Sequence, residues 1–371
     1  MDKSILHGCI DFLSDYDSVN PCSTLQNDID KWVEDSEDIF EVSVPPNEID
    51  TGFYINGVHE ALIDFLSRAS SKTWKERSMQ DRRNYVDNLI SSIQIQQRTV
   101  AWYEQSKTVL TASEFSAILG SPRSIDNLAL QKVAPINPRS NLACSTVSMS
   151  AFDWGIRFEP VVKQILEVVW GSTIAEVGRF LHAENTRLAA SPDGIILTAA
   201  DPSRVGRLVE IKCPVRREIN GVVPFDYWCQ MQIQMEVTNI DECEYVEMKI
   251  MSAYKDAPYI EPTEDLGKMY SGKIWLFQAP ETYELKYAYT ALERKDLELL
   301  GWNFLEEIPW HLEKMRTEIV ARDRNWYEST KEKQENFWLR VEAARQGLVD
   351  PPKKRPRLPS VQICQITDDA A

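Results

Sequence analysis

Two short segments near the middle of the chain bring together residue types that could do chemistry: Ser191-Pro192-Asp193-Gly194 and Val209-Glu210-Ile211-Lys212. In an extended strand residues i and i+2 share a face, so Glu210 and Lys212 project side by side while Ile211 turns to the core. Asp193, at the start of the preceding strand-like run, reaches the same face across a hairpin. Two carboxylates so placed repel each other unless a hard cation sits between them. An oxygen-only ligand set favours Mg2+, with Mn2+ as its substitute, over zinc. A lysine beside such a metal can position an attacking water and assist its deprotonation. The chemistry suggested is phosphodiester hydrolysis. Either fragment alone is ordinary, because Ser-Pro-Asp-Gly is a common turn sequence and alternating charges usually mark a strand's solvated face.

The flanking sequence supplies elements to hold these groups. Helical spacing from about Ala151 to Val169 stops at Gly171, with Pro160 predicting a kink or two pieces. Within it Gly155 and Glu159 share one face, so the glycine permits close backbone approach where Glu159 reaches inward. Gly194–Leu197 and Arg207–Lys212 read as two strands of a hairpin across the turn-rich residues 201–206. A helix from Phe225 to Val237 puts Tyr227, Gln230 and Gln234 on one face. Glu244–Ile250 then alternates as in a half-buried strand. Helices, hairpin, helix and strand in this order predict an α/β core.

Taken in order, Leu110-Thr111-Ala112-Ser113-Glu114-Phe115, Gly155 with Glu159, Ser191-Pro192-Asp193-Gly194, Glu210-Ile211-Lys212-Cys213-Pro214 and Tyr227–Met235 resemble the YqaJ-type viral recombinase family. This is the lambda-exonuclease-like branch of the PD-(D/E)xK nuclease superfamily. The resemblance covers about residues 102–250. It implies a restriction-endonuclease-like core, a mixed central sheet flanked by helices, with N- and C-terminal helical additions. It also implies a magnesium-dependent exonuclease digesting one strand of duplex DNA from a 5′ end in recombination or end processing.

By motif match Asp193, Glu210 and the Ile211 main-chain carbonyl hold one or two ions, Glu159 completes the acidic cluster, and Lys212 orients the water. Gln230, with Tyr227 behind it, steadies the site. Ser113 matches a phosphate-binding serine, for which a helix start is well suited. Relatives usually carry an arginine a few residues earlier, where this chain has Gln105-Ser106-Lys107, so Lys107 is the candidate substitute and dependence on a 5′-phosphate is in doubt. Arg216 and Arg217 are candidate backbone-phosphate contacts. An endonuclease with the same residues, or a nuclear DNA-binding or scaffold protein without turnover, are the alternatives; retention of Glu159, Asp193, Glu210 and Lys212 weighs against the second. A single-strand annealing protein and a second copy of the chain are the further candidate partners.

The charge balance at first argues against nucleic acid, with 41 Lys+Arg against 57 Asp+Glu and a net −16. Its distribution says otherwise. Residues 1–60 hold fourteen Asp/Glu against two Lys, a net −12 of that total, whereas residues 314–357 hold twelve Lys/Arg against seven Asp/Glu. No apolar run reaches the length of a membrane span, no secretory leader is evident, and the seven cysteines include no CxxC pair, all of which predicts an intracellular protein with reduced thiols.

The reading by region is an acidic segment 1–56, a helical region 57–101 with stripes at Ala61, Leu62, Phe65, Leu66 and at Tyr85, Leu89, Ile93, Ile95, and a nuclease-like core 102–260. A helical C-terminal part 261–348 and a basic tail 349–371 follow. Residues 123–150 read as a long loop, and Tyr289–Phe304 and Pro309–Leu348 as helices. Lys353, Lys354, Arg355 and Arg357, between prolines, resemble a nuclear-import cluster, which predicts action in a nucleus.

Overall fold

The computed structural model describes Trp74 and residues 77–92, 94–138 and 143–351. The acidic segment 1–56, the stripe at Ala61, Leu62, Phe65 and Leu66, Ile93, and the cluster Lys353, Lys354, Arg355 and Arg357 lie outside the described residues. The chain divides after Lys72, and all described residues belong to the second unit.

Helix α1 (Met79–Ser91) opens on a Ser78 cap that Asp81 closes reciprocally, and α2 (Val100–Gln105) follows on a Thr99 cap. Strand β1 (Leu110–Thr111) passes through one 3-10 turn into α3 (Phe115–Ile118). The long loop expected over 123–150 instead begins as helix, α4 (Pro122–Val133). Ser121 caps it and Pro122 takes its first turn, so a pair that reads as the end of one helix is the start of the next. Helix α5 (Ala151–Trp170) starts at a Ser150–Asp153 capping box, runs through Pro160 as one helix rather than two pieces, and ends at Gly171 in left-handed backbone.

Strands β2 (Thr173–Ala175), β3 (Phe180–Leu181), β4 (Leu188–Ala190), β5 (Gly194–Thr198) and β6 (Leu208–Lys212) follow, then α6 (Phe225–Thr238) and β7 (Glu242–Ser252). The part beyond residue 260, expected to be helical, is mixed. It comprises α7 (Asp265–Met269), β8 (Ser271–Gln278), β9 (Leu285–Ala288), α8 (Ala291–Leu299), the long β10 (Asn303–Ala321), α9 (Arg324–Ser329) and α10 (Lys331–Arg345).

Seven strands form one sheet in the order β2-β5-β6-β7-β10-β8-β9, and β1-β4-β3 form a smaller one. Only β6 and β7 pair in parallel in the larger sheet, with α6 as their crossover. Period-two alternation sends β6 to two different cores. Val209 and Ile211 pack with Trp154, Phe158, Val161 and Ile165 of α5, joined by Val246 and Met248 of β7. Leu208 faces the other layer, where α6, the smaller sheet, α3, α4 and α10 gather around Met231, Ile233, Phe115, Leu188 and Phe337. The result is a mixed α/β sheet covered by helices on both faces, the expected fold class. One detail of β7 differs from expectation. The alternation predicts a half-buried strand, but Tyr245 and Glu247 are fully buried as well as Val246 and Met248, because their face lies under the layer built on α6.

Candidate active site

The β5–β6 hairpin does what its sequence predicts. Gly194 pairs with Val209, and a Cβ at Gly194 would stand 2.4 Å from Ile174 Cγ2, so only glycine lets β2 lie this close beside the turn. Asp193, one residue earlier, is fastened across the hairpin: the Ile211 N–H donates to its Oδ2 at 2.7 Å. Glu210, 1% exposed, ion-pairs with Lys212 through Oε1 and accepts from Gln234 Nε2 at 2.6 Å through Oε2. Lys212 Nζ also donates to Gln230 Oε1 at 3.1 Å and stands 4.5 Å from the Tyr227 ring centroid. Tyr227, Gln230 and Gln234 thus act from one face of α6, as their spacing predicts.

Charge decides what these groups can do. Burial pushes the Asp193 carboxyl well above the usual carboxylate range, and the negative charges of Glu210 and Glu159 add to it. Burial alone would depress the Lys212 ammonium, but Glu210 and Asp193 outweigh that and hold it above its ordinary value. Lys212 is therefore a hydrogen-bond donor in this state and not a base. Cys213 beside it is kept a thiol, first by burial and then by Glu159 and Asp193.

The donor set fits a hard divalent cation. Mg2+ is usually held by one or two carboxylates, the rest of its shell being water and substrate phosphate. Asp193, just ahead of β5, and Glu210 on the neighbouring β6, with the main-chain carbonyl of Ile211 next after Glu210, meet that description. Glu159 does not close a three-carboxylate cage. Its oxygens go to Lys163 at 2.9 Å and Arg98 at 3.4 Å, and among the described residues no group of three or more His, Cys, Asp and Glu side chains is arranged to hold a metal ion by itself.

A cleft of about 610 Å³ gathers Ser113, Glu159, Asp193, Glu210, Ile211, Lys212, Arg217, Tyr227 and Gln230. Two predicted contacts lie elsewhere. Lys107 donates to the Gln131 carbonyl at 2.7 Å, and Arg216 is exposed outside the cleft. Arg217 reaches it, ion-paired to the buried Glu247 and 5.8 Å from the Tyr227 ring. Ser113 sits with its hydroxyl 3.3 Å from that of Thr111, in the 3-10 turn ahead of α3.

The cleft also holds residues that no sequence motif marks. Arg179, 2% exposed, lies 4.1 Å from the Trp102 ring and donates to the Trp102 carbonyl and the Ser106 hydroxyl at 2.8 and 3.0 Å, while its Nε has no partner. Burial lowers its pKa to about 10. Arg98 and Gln97 line the same cleft. Neither arginine lies at a motif spacing; a tertiary fold that carries both to the hairpin is their only signal. Gly155 lies there too, and a Cβ on it would meet nothing within 4 Å, so the approach it permits is of something other than the protein's own backbone.

With this geometry in hand, comparison with known proteins is informative. The chain is 26% identical over 203 residues to an uncharacterized protein of Acanthamoeba polyphaga mimivirus, covering 52% of this chain and 36% of that one. It is 30% identical over 162 residues to a protein of African swine fever virus, covering 37% and 45%. It therefore spans less than half the length of the curated relatives it matches. Among solved structures it is similar to an alkaline exonuclease from Laribacter hongkongensis, at 19% identity and a TM-score of 0.38, over 67% of this chain and 96% of that one. Residues 101–241 match the family model of the YqaJ-like viral recombinase domain. Those residues include Ser113, Glu159, Asp193, Glu210, Lys212 and Gln230, the groups that meet in the cleft, so the part of the chain similar to that family is the part that builds the candidate site.

Proposed function

We propose that the chain is a Mg2+-dependent deoxyribonuclease, a 5′-to-3′ exonuclease on linear duplex DNA that serves viral-type recombination or end processing. One observation carries the reading: Asp193, Glu210 and Lys212 converge from a single hairpin in an open cleft, with Gln230 and Gln234 fixing the last two. Asp193, Glu210 and the Ile211 carbonyl would hold Mg2+, or Mn2+ in its place. That cation supplies charge stabilisation at the phosphate and a more acidic water.

The protein's own residues do the rest. Lys212, an ammonium pinned by Glu210 and Gln230, donates to the attacking water or a phosphate oxygen and so fixes the line of attack. The Tyr227 face beneath it favours the cation. Gln234 restrains Glu210 in one rotamer, so the acid does not follow Lys212 out toward solvent. Ser113 and Arg179 take the terminal phosphate, with Arg179 in the role the sequence alone gave to Lys107. A guanidinium offers phosphate a fork that a lysine cannot.

The test uses purified protein with Mg2+ and linear duplexes labelled at either end, beside circular DNA and a Glu210→Ala variant. Stepwise loss from 5′ ends is expected, and none with Glu210→Ala. Cutting of circles would make the protein an endonuclease, and binding without cutting a scaffold. Import through Lys353, Lys354, Arg355 and Arg357 completes the proposal; a fluorescent fusion with all four changed to Ala is expected to lose nuclear accumulation.

A further inference from the structure

We propose that Arg98 is a DNA-phosphate contact of the cleft, delivered by residues 94–98 from just outside the matched domain; the proposal rests on the nuclease reading above. These residues are lashed to the catalytic side of the fold. Gln94 Oε1 accepts from the Gly178 N–H at 2.7 Å, the Arg179 N–H donates to the Ile95 carbonyl at 2.8 Å, and Gln97 Nε2 donates to the Val177 and Pro192 carbonyls at 3.3 and 3.4 Å. The last bond ties them to the turn that presents Asp193. The seating is close, since a Cβ on Gly178 would stand 2.7 Å from the Ile95 carbonyl oxygen.

Arg98 itself has φ +66°, left-handed backbone that an L side chain adopts only against steric resistance. Arg98 is the second residue of the turn at 97–98, directly before the Thr99 cap of α2, a place where turns admit positive φ but ordinarily fill it with Gly or Asn. What the conformation accomplishes is to bring the guanidinium into the cleft beside Glu159. Strain of this kind, held in place by surrounding bonds, points toward function.

The contact with Glu159 does not use up the arginine. It is one nitrogen–oxygen pair at 3.4 Å, while Lys163, one turn along the same helix, already holds the other carboxylate oxygen at 2.9 Å. Glu159 therefore keeps a cation if Arg98 turns away. The side chain is 27% exposed, and its guanidinium, with five N–H groups, has donors left for the planar, bidentate recognition that phosphate favours. A DNA strand whose scissile phosphate lies at Asp193 and Glu210 passes Glu159 in the same cleft, and its neighbouring phosphate is the ligand Arg98 suits.

The experiment compares full-length wild type, Arg98→Gly and Arg98→Lys. Melting midpoints are measured, along with the affinity for a fluorescein-labelled linear duplex in Ca2+ from 50 to 200 mM salt, these settings being roughly the range over which phosphate contacts show their salt dependence. Glycine relieves the left-handed backbone, so Arg98→Gly is expected to melt no lower than wild type. It should nevertheless bind DNA about tenfold more weakly, with a salt slope shallower by about one, as for a lost phosphate contact. Arg98→Lys should fall between. Wild-type affinity and slope in Arg98→Gly, whatever its midpoint, would overturn the proposal and leave Arg98 a structural partner of Glu159. A wild-type protein that neither binds nor cuts DNA would instead overturn the nuclease reading, and this proposal with it.

Discussion

Strand β6 has a charge cluster at each of its ends. At the start of β6 and β7, Arg207 donates to Glu242 at 2.7 Å and to Glu244 at 2.8 Å, and Arg204 reaches Glu244 at 2.6 Å while lying 4.5 Å from the Trp170 ring. Burial opposes the Arg207 charge, but the bonds and charges of Glu242 and Glu244 more than offset it. Each carboxylate there meets a guanidinium. At the other end Glu210 has Lys212 and Glu159 has Lys163 and Arg98, yet no lysine or arginine among the described residues pairs with Asp193, whose bond comes from the Ile211 N–H. Gln234 Oε1 is also without a partner. A closed cluster completes itself and holds strands together. An open one lining a cleft leaves an acid that a cation from outside can pair, which is what the proposed site asks of the second cluster, whereas the first is a joint.

The largest expected effect tests the open cluster. Glu210→Ala should cut DNA hydrolysis by at least about a thousandfold, ~4 kcal/mol of transition-state stabilisation, in the protein that remains folded. The second tests the joint. Glu244→Gln leaves Arg204 without its carboxylate and Arg207 with Glu242 alone, and should cost about 3 kcal/mol in denaturant unfolding, while the activity of the folded fraction stays near wild type. If the two variants exchanged these signatures, the assignment of site and joint would be reversed.

The third effect depends on pH. Because the folded-state pKa of Asp193 is raised above its unfolded value, folding is favoured most below the unfolded value, and that contribution is lost as pH rises through the folded one. Metal-free Asp193→Asn should therefore match wild type in acid and be the more stable at neutral pH, by about 1–2 kcal/mol, the scale of an uncompensated buried polar group. Added Mg2+ should raise the wild-type midpoint and close the gap. A gap independent of pH and of Mg2+ would mean that Asp193 is not the open acid.

The open cluster was more legible in the sequence than most of its scaffold, for a physical reason. A hairpin writes its register into period two, so Glu210 and Lys212 could be placed from spacing alone. The strand β10 could not. Ile308, Trp310 and Leu312 alternate, but a bulge between Leu312 and Lys314 flips the phase, and Met315 takes the inward position opposite Met248. Ile308, Leu312 and Met315 then fall at i, i+4 and i+7, the signature of a helix, which is why the sequence of residues 309–321 predicts one. Helix α4 was lost because Ser121-Pro122 both ends and begins helices. Arg98 and Arg179 were missed because no local pattern announces a side chain that reaches its site only through tertiary packing.

The smallest effect asks whether the open cluster is open to a substrate or only to solvent. Gly155 lies one turn before Glu159 in α5 and lines the cleft, and a Cβ there would touch nothing within 4 Å. On stability grounds alone Gly155→Ala should be favourable by about 0.5–1 kcal/mol, because alanine loses less backbone entropy inside a helix. Gly194→Ala is the opposite case, since its Cβ would collide with Ile174. If a DNA strand occupies the space above Gly155, the added methyl should weaken substrate binding even as the melting midpoint rises, and KM should move more than kcat. A variant that gains stability at no cost in KM would show that the strand does not pass over α5. The open cluster would then have to be approached from the α6 side, past Tyr227 and Arg217.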